Sequence, residues 1–229
     1  MIKTRAGDTG NSLFVYHRFI MTNVMHKLMT TLAAILIAAS AFAAPKNYDL
    51  KSPNGKLSVS VEAGEGISYT LTHDGDLLLD KTSISMATTS GELFGGIQTV
   101  RKVTRRSVSQ IIPTVLYKKA EVKDEFNEMT LKFKRFSLIF RAYDDGMAYR
   151  FVSHLKDAYQ IEQEFVNFNF AEDWNMWAGY VTHNTHSLEG QYFTSNEAQY
   201  TYSPLSQWNK DRIAILPLMV DGPDGKKIV

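Results

Sequence analysis

The chain has 229 residues, a formal charge of +1 and a hydrophobic content of 44%. That length suits one domain or at most two, and the apolar fraction is too high for a disordered chain. Near-neutrality excludes the strongly basic footprint of a nucleic-acid binder, and the absence of cysteine excludes disulfide staples and a lipid-modified N-terminal Cys.

Residues 1–43 read as a signal peptide. His26 and Lys27 precede the apolar run Leu28–Ala39, and Ala41-Phe42-Ala43 places small residues where a signal peptidase reads them. The run is shorter than the roughly 20 residues needed to cross a bilayer, so no membrane span is expected. Residues 1–20 fit no n-region, whereas a start at Met21 or Met25 gives a conventional signal peptide. The expected location is periplasmic or secreted. Lys3, Arg5, Arg18 and Lys27 face only Asp8 in this segment, which leaves residues 44–229 slightly acidic.

The rest reads as strands. Leu50-Lys-Ser-Pro-Asn-Gly-Lys-Leu-Ser-Val59 leads into a strict alternation over Lys56–Glu62, with Leu57, Val59 and Val61 on one face. Ile67–Thr72 repeats it with Ile67, Tyr69 and Leu71, after a short loop at Ala63–Gly66. His73-Asp-Gly-Asp76 turns the chain into Leu77–Leu79, completing a meander with one wet face. From Met86 to Tyr117 the pattern weakens. Ala87–Glu92 and Phe94–Gly96 read as loop, and Arg101, Lys102, Arg105 and Arg106 as charges guarding a solvated strand edge. Lys118–Glu128 reads as exposed.

Alternation returns at Met129–Phe133 and leads to the stretch Arg141–Phe151, RAYDDGMAYRF. Two apolar and aromatic runs, Phe136–Tyr143 and Met147–Val152, flank Asp144-Asp145-Gly146, an Asp-Gly step suited to the positive φ of a tight hairpin. Val166, Phe168 and Phe170 then share a face opposite Asn167 and Asn169. No stretch beyond the signal peptide sustains a helical period, and there is no repeat or linker. The fold class is mainly β: two large antiparallel sheets packed face to face.

Three of these stretches carry a resemblance. RAYDDGMAYRF, the opening Leu50–Val59, and Ser195-Asn-Glu-Ala-Gln-Tyr200 followed by Tyr202-Ser-Pro-Leu-Ser206 and Ala214–Val220 resemble the N-terminal domain of glycoside hydrolase family 97. That family comprises α-glucosidases and α-galactosidases of Bacteroidetes. The resemblance spans about Tyr48 to Val229. It implies an antiparallel β-supersandwich, incomplete at its C-terminus, from a calcium-dependent enzyme acting on α-linked oligosaccharides. In the family a (β/α)₈ catalytic barrel follows this domain, and nothing here alternates β and α as a barrel must. The chain alone is therefore expected to be inactive, with no catalytic residue. The rival expectation is a stand-alone carbohydrate-binding or interaction module.

The resemblance also singles out Glu197. Asn196-Glu-Ala-Gln-Tyr200 aligns with the family's Tyr-Glu-x-x-Tyr pattern, whose glutamate reaches the active-site calcium, with Asn196 in place of the tyrosine. Glu197 is thus the expected metal ligand, and calcium the expected cofactor, in the full-length enzyme only. Three other groups invite chemistry. Trp174, Trp177 and Tyr180 could stack a sugar, although a core edge or interdomain contact explains them more simply. His183 and His186 have the i, i+3 spacing of metal ligands on a helix, but no helix or acidic partner accompanies them. Asp144 and Asp145 are adjacent acids, whereas glycoside hydrolysis needs carboxyls roughly 5–10 Å apart across the scissile bond, so turn geometry accounts for them better.

Overall fold

The computed structural model describes residues 45–181, 187–193 and 197–229. The signal-peptide segment, His183 and His186 lie outside the described residues. The strands are β1 (Lys46–Lys51), β2 (Leu57–Ala63), β3 (Ile67–His73), β4 (Asp76–Thr88), β5 (Leu93–Phe94), β6 (Lys102–Pro113) and β7 (Glu121–Lys132). They continue with β8 (Phe136–Ala142), β9 (Met147–Ser153), β10 (Ile161–Asn167), β11 (Asn175–Tyr180), β12 (Thr201–Pro204), β13 (Ala214–Asp221) and β14 (Lys227–Ile228). A single helical turn, α1 (Leu188–Gln191), precedes β12 and is capped by the Ser187 hydroxyl.

The expected antiparallel β architecture forms. One sheet runs β1-β2-β3-β4-β10 with β5 beside β4, and a second runs β6-β7-β8-β9. Their facing sides share one core. Leu57, Val59, Val61, Ile67 and Tyr69 from the first meet Met129, Leu131, Phe136, Leu138 and Phe140 from the second. The alternation read in β2 and β3 is what divides buried from wet, and residues 58, 60 and 62 are half-buried at most. A third sheet, β12-β11-β13-β14, adds a smaller core of Met176, Ala178, Tyr180 and Val220.

The weakly patterned middle of the chain holds most of the surprises. Phe94, expected in a loop, is 1% exposed and stacks on Phe136 at 5.0 Å. Its two-residue strand is too short to show any period. The residues expected to be an exposed run, Lys118–Glu128, lie largely in β7, where Phe126 and Glu128 are buried. Tertiary burial overrides a polar local sequence there. The basic cluster does sit on an edge strand, because β6 has β7 as its sole neighbour in the sheet.

The Asp-Gly turns at Asp74-Gly75 and Asp145-Gly146 differ. Asp74-Gly75 joins β3 to β4 in a two-residue loop, with φ of 52° and 91° respectively, and such loops need both residues left-handed. The signature hairpin instead closes over Tyr143–Gly146, since Ala142 pairs with Met147. Tyr143 N–H donates to the Gly146 carbonyl at 2.8 Å, and none of the four residues has positive φ. The four-residue loop reverses the chain without a residue at positive φ, so the expected left-handed step is not required.

Candidate functional site

The signature residues serve the core. Tyr149 and Phe151 project inward from β9 and continue an aromatic cluster: Tyr69 to Phe140 5.9 Å, Phe140 to Tyr149 5.9 Å, Phe136 to Phe151 5.7 Å. Burial pushes the Tyr69 hydroxyl up to about 12, and burial followed by the nearby Glu164 charge also raises the Tyr149 hydroxyl. Arg141 faces the opposite side of the sheet. It lies directly across from Glu128, which lies across from Arg106, so three adjacent strands contribute to one ionic row. Arg106 donates to Glu128 at 2.6 and 2.9 Å, and Arg141 Nε donates at 2.8 Å. The Arg141 guanidinium also sits 4.3 Å from the Phe126 ring centroid. Hydrogen bonds from Arg106 and then Arg141 hold the Glu128 carboxyl below the usual carboxylate range, against the opposing effect of burial. Sequence reasoning missed this row, since its members are distant in the chain and meet only through strand register.

Asp144 and Asp145 are exposed turn residues, and the Asp144 carboxylate accepts from the Asn54 backbone N–H at 2.9 Å. That bond ties the hairpin to the loop after β1.

The aromatic trio does not assemble into a platform. Trp174 packs half-buried between the two cores, and Tyr180 is buried with its hydroxyl accepting from Asn209 N–H at 2.9 Å. Only Trp177 faces outward, because strand alternation sends Met176 and Ala178 the other way. Its partner is Tyr202, directly opposite on β12, with ring centroids 4.5 Å apart. The Tyr202 hydroxyl donates to Asp221 at 2.9 Å, and Lys227 binds the same carboxylate at 2.6 Å. Tyr200 covers Gly179 on this sheet, where an added Cβ would come within 3.0 Å of its ring. The alternation Tyr200-Thr201-Tyr202 is the signal that could have found this face.

Glu197 lies on the exposed coil between α1 and β12, a few residues before that aromatic face. A calcium ion takes about six to eight oxygen ligands, and one carboxylate supplies two at most. Among the described residues no group of three or more His, Asp or Glu could hold a metal. A crevice of about 330 Å³ lies between β1 and the β6–β7 pair, lined by Asp49, Lys51, Arg105, Asn127 and Glu128 among others. Its polar groups are engaged in structural bonds: Arg105 donates to the Asp49 carbonyl at 3.3 Å and Asn127 to the Lys51 carbonyl at 2.8 Å.

The described residues form a mainly antiparallel β-fold of three sheets, with an exposed acid a few residues ahead of an aromatic strand face in the chain. Comparison with known proteins gives the particular kind. Residues 50–229 match the family model described as Glycosyl-hydrolase 97 N-terminal, and the chain belongs to that family. It is 33% identical over 204 residues to a retaining alpha-galactosidase of Bacteroides thetaiotaomicron, covering 88% of this chain and 31% of that protein. Among solved structures, a glycoside hydrolase family 97 enzyme of Pseudoalteromonas sp. strain K8, in complex with panose, superposes with a TM-score of 0.62. Identity there is 18%, over 78% of this chain and 27% of that one. A beta-arabinopyranosidase gives a TM-score of 0.64 at 18% identity, over 76% and 30%. The chain thus spans about a third of the length of the relatives it matches.

Proposed function

We propose that this chain acts as the N-terminal domain of a calcium-dependent α-glycosidase, exported to the periplasm or beyond, with Glu197 at the rim of a catalytic barrel. The observation that carries this reading is the family match across residues 50–229, which corresponds to under a third of a retaining alpha-galactosidase. The exposure of Glu197 supports it, since a carboxylate that completes a metal site on another domain must stand clear of its own core. Calcium supplies a fixed positive charge where it binds. Glu197 holds it with up to two oxygens, and the barrel provides the rest. The substrate class is an α-linked oligosaccharide, and the alpha-galactosidase relative favours galactosides.

Two measurements test this. The 229-residue chain incubated with chromogenic α-galactosides and α-glucosides should leave both intact, and turnover above a buffer blank would overturn the reading. In a polypeptide that carries this domain together with a barrel, Glu197→Gln should weaken calcium binding and calcium-dependent activity together, with partial rescue by excess calcium. An unchanged calcium titration would return Glu197 to the role of a surface acid and favour a non-catalytic carbohydrate-binding or interaction module.

A further inference from the structure

The β6–β7 hairpin outruns its own sheet. β7 pairs with β8 only over Asn127–Lys132, whereas β6 and β7 stay paired from Lys102 and Lys132 out to Pro113 and Glu121. The pairs from Val108–Phe126 to Pro113–Glu121 form a two-stranded arm, roughly 17 Å long at the usual rise of a strand. Phe126 is buried at the base of the arm, and polar pairs lie between base and tip: Gln110 donates to Asp124 at 2.7 Å, and Lys123 pairs with Glu125.

Its end is different. Ile111, Ile112 and Tyr117 are exposed, and Val115 and Leu116 are 95% and 96% exposed. The Thr114 N–H donates to the Ala120 carbonyl at 2.9 Å, closing the loop so that residues 115–119 project beyond the last strand pair. Lys118 and Lys119 follow directly, the Lys118 ammonium lying 6.0 Å from the Tyr117 ring. Glu121 is the one acid between Ile111 and Glu121.

Aliphatic side chains held this far into water mark a surface that something else covers. The chemistry selects the partner. A groove on a protein would have to desolvate the lysine pair along with the apolar end. A lipid interface accepts aliphatic groups to a depth of about 5–10 Å, seats a tyrosine at headgroup level and attracts lysines by charge. We propose that the tip of the β6–β7 arm docks this protein peripherally on an anionic lipid surface, with Val115, Leu116 and Tyr117 immersed and Lys118 and Lys119 on the headgroups. Among the described residues no helix is long and apolar enough to cross a membrane, and this contact requires none.

The absence of cysteine makes the test direct, because Leu116→Cys accepts a single environment-sensitive fluorophore. Added to phosphatidylglycerol-containing vesicles, the labelled chain should shift its emission to the blue and be quenched by lipid-borne quenchers. Pure phosphatidylcholine should produce far less of either. In co-sedimentation, Val115→Asp with Leu116→Asp should lower partitioning about a hundredfold, and Lys118→Glu with Lys119→Glu roughly thirtyfold. Both pairs lie on a loop whose aliphatic members are almost fully exposed, so the fold is retained. Because the apolar run Leu28–Ala39 could bind vesicles by itself, the fluorophore at position 116 decides. A probe that stays in water with anionic vesicles overturns the proposal. A probe already shielded without lipid would also overturn it, in favour of a second copy or another protein surface.

Discussion

Glu128 shows how a residue near the surface can carry the stability of a whole sheet. Its carboxylate lies between two guanidiniums contributed by the strands on either side, and its side chain is only 8% exposed. Replacing it by Gln leaves shape but removes the charge that both arginines address, which should destabilise the chain by about 2 kcal/mol at neutral pH. The pH dependence has a definite sign. A carboxyl whose folded pKa is depressed stabilises the fold above its unfolded value near 4.3 and loses that contribution as pH falls through the folded value. Urea midpoints of the wild type and Glu128→Gln should therefore differ at pH 7 and converge as pH falls below about 4. A gap that stayed constant with pH would refute the charge argument. Gly95 is the other critical single position. Its φ is 100°, and an added Cβ would lie 2.6 Å from the Ile84 carbonyl oxygen. Gly95→Ala should cost roughly 3 kcal/mol or more, measured in the same way.

Among the elements, those with strict alternation could be read directly. The β2–β3 meander, the strand beginning at Phe136 and its partner from Met147 fall where period-two patterning puts them, because one face is buried and the other wet. β6 could not be read that way, since an edge strand whose exposed residues alternate irregularly leaves no period in the sequence. The short strand at Phe94 and the burial of Phe126 depend on partners supplied by distant segments. Turn chemistry was half legible: an Asp-Gly pair sits at positive φ in the two-residue loop at Asp74-Gly75, whereas at Asp145-Gly146 it belongs to a four-residue loop with no positive φ. The two glycines should answer substitution differently. Gly75→Ala introduces a side chain at φ 91° and should cost about 1–2 kcal/mol. Gly146→Ala meets nothing within 4 Å at an ordinary φ, so its thermal midpoint should match the wild type or exceed it slightly.

For the whole molecule, three short stretches in the right order were enough to point to the family, and the match over residues 50–229 bears that out. The site was less legible. The signature hairpin is core and ionic scaffold. Glu197 is exposed, and no group of three or more His, Asp or Glu that could hold a metal lies among the described residues. The third sheet was not foreseen as a separate unit, because its strands are joined by segments with little period of their own. One expectation belongs at this scale. With no cluster of metal ligands among the described residues, millimolar calcium should leave the melting temperature of this chain unchanged. A rise of several degrees would mean that the chain completes a calcium site unaided.

The two bonds that reach from β6 and β7 to the backbone of β1 bear on self-association. β1 is the outer strand of its sheet, and a free outer strand is where a foreign strand can add and start a fibre. Here the carbonyls of Asp49 and Lys51 are already taken by Arg105 and Asn127. A strand arriving at that edge would have to displace two side chains and leave a guanidinium and an amide to be resolvated before forming its own ladder. Polymer growth through β1 is opposed by the facing sheet itself, with no proline or bulge within that strand.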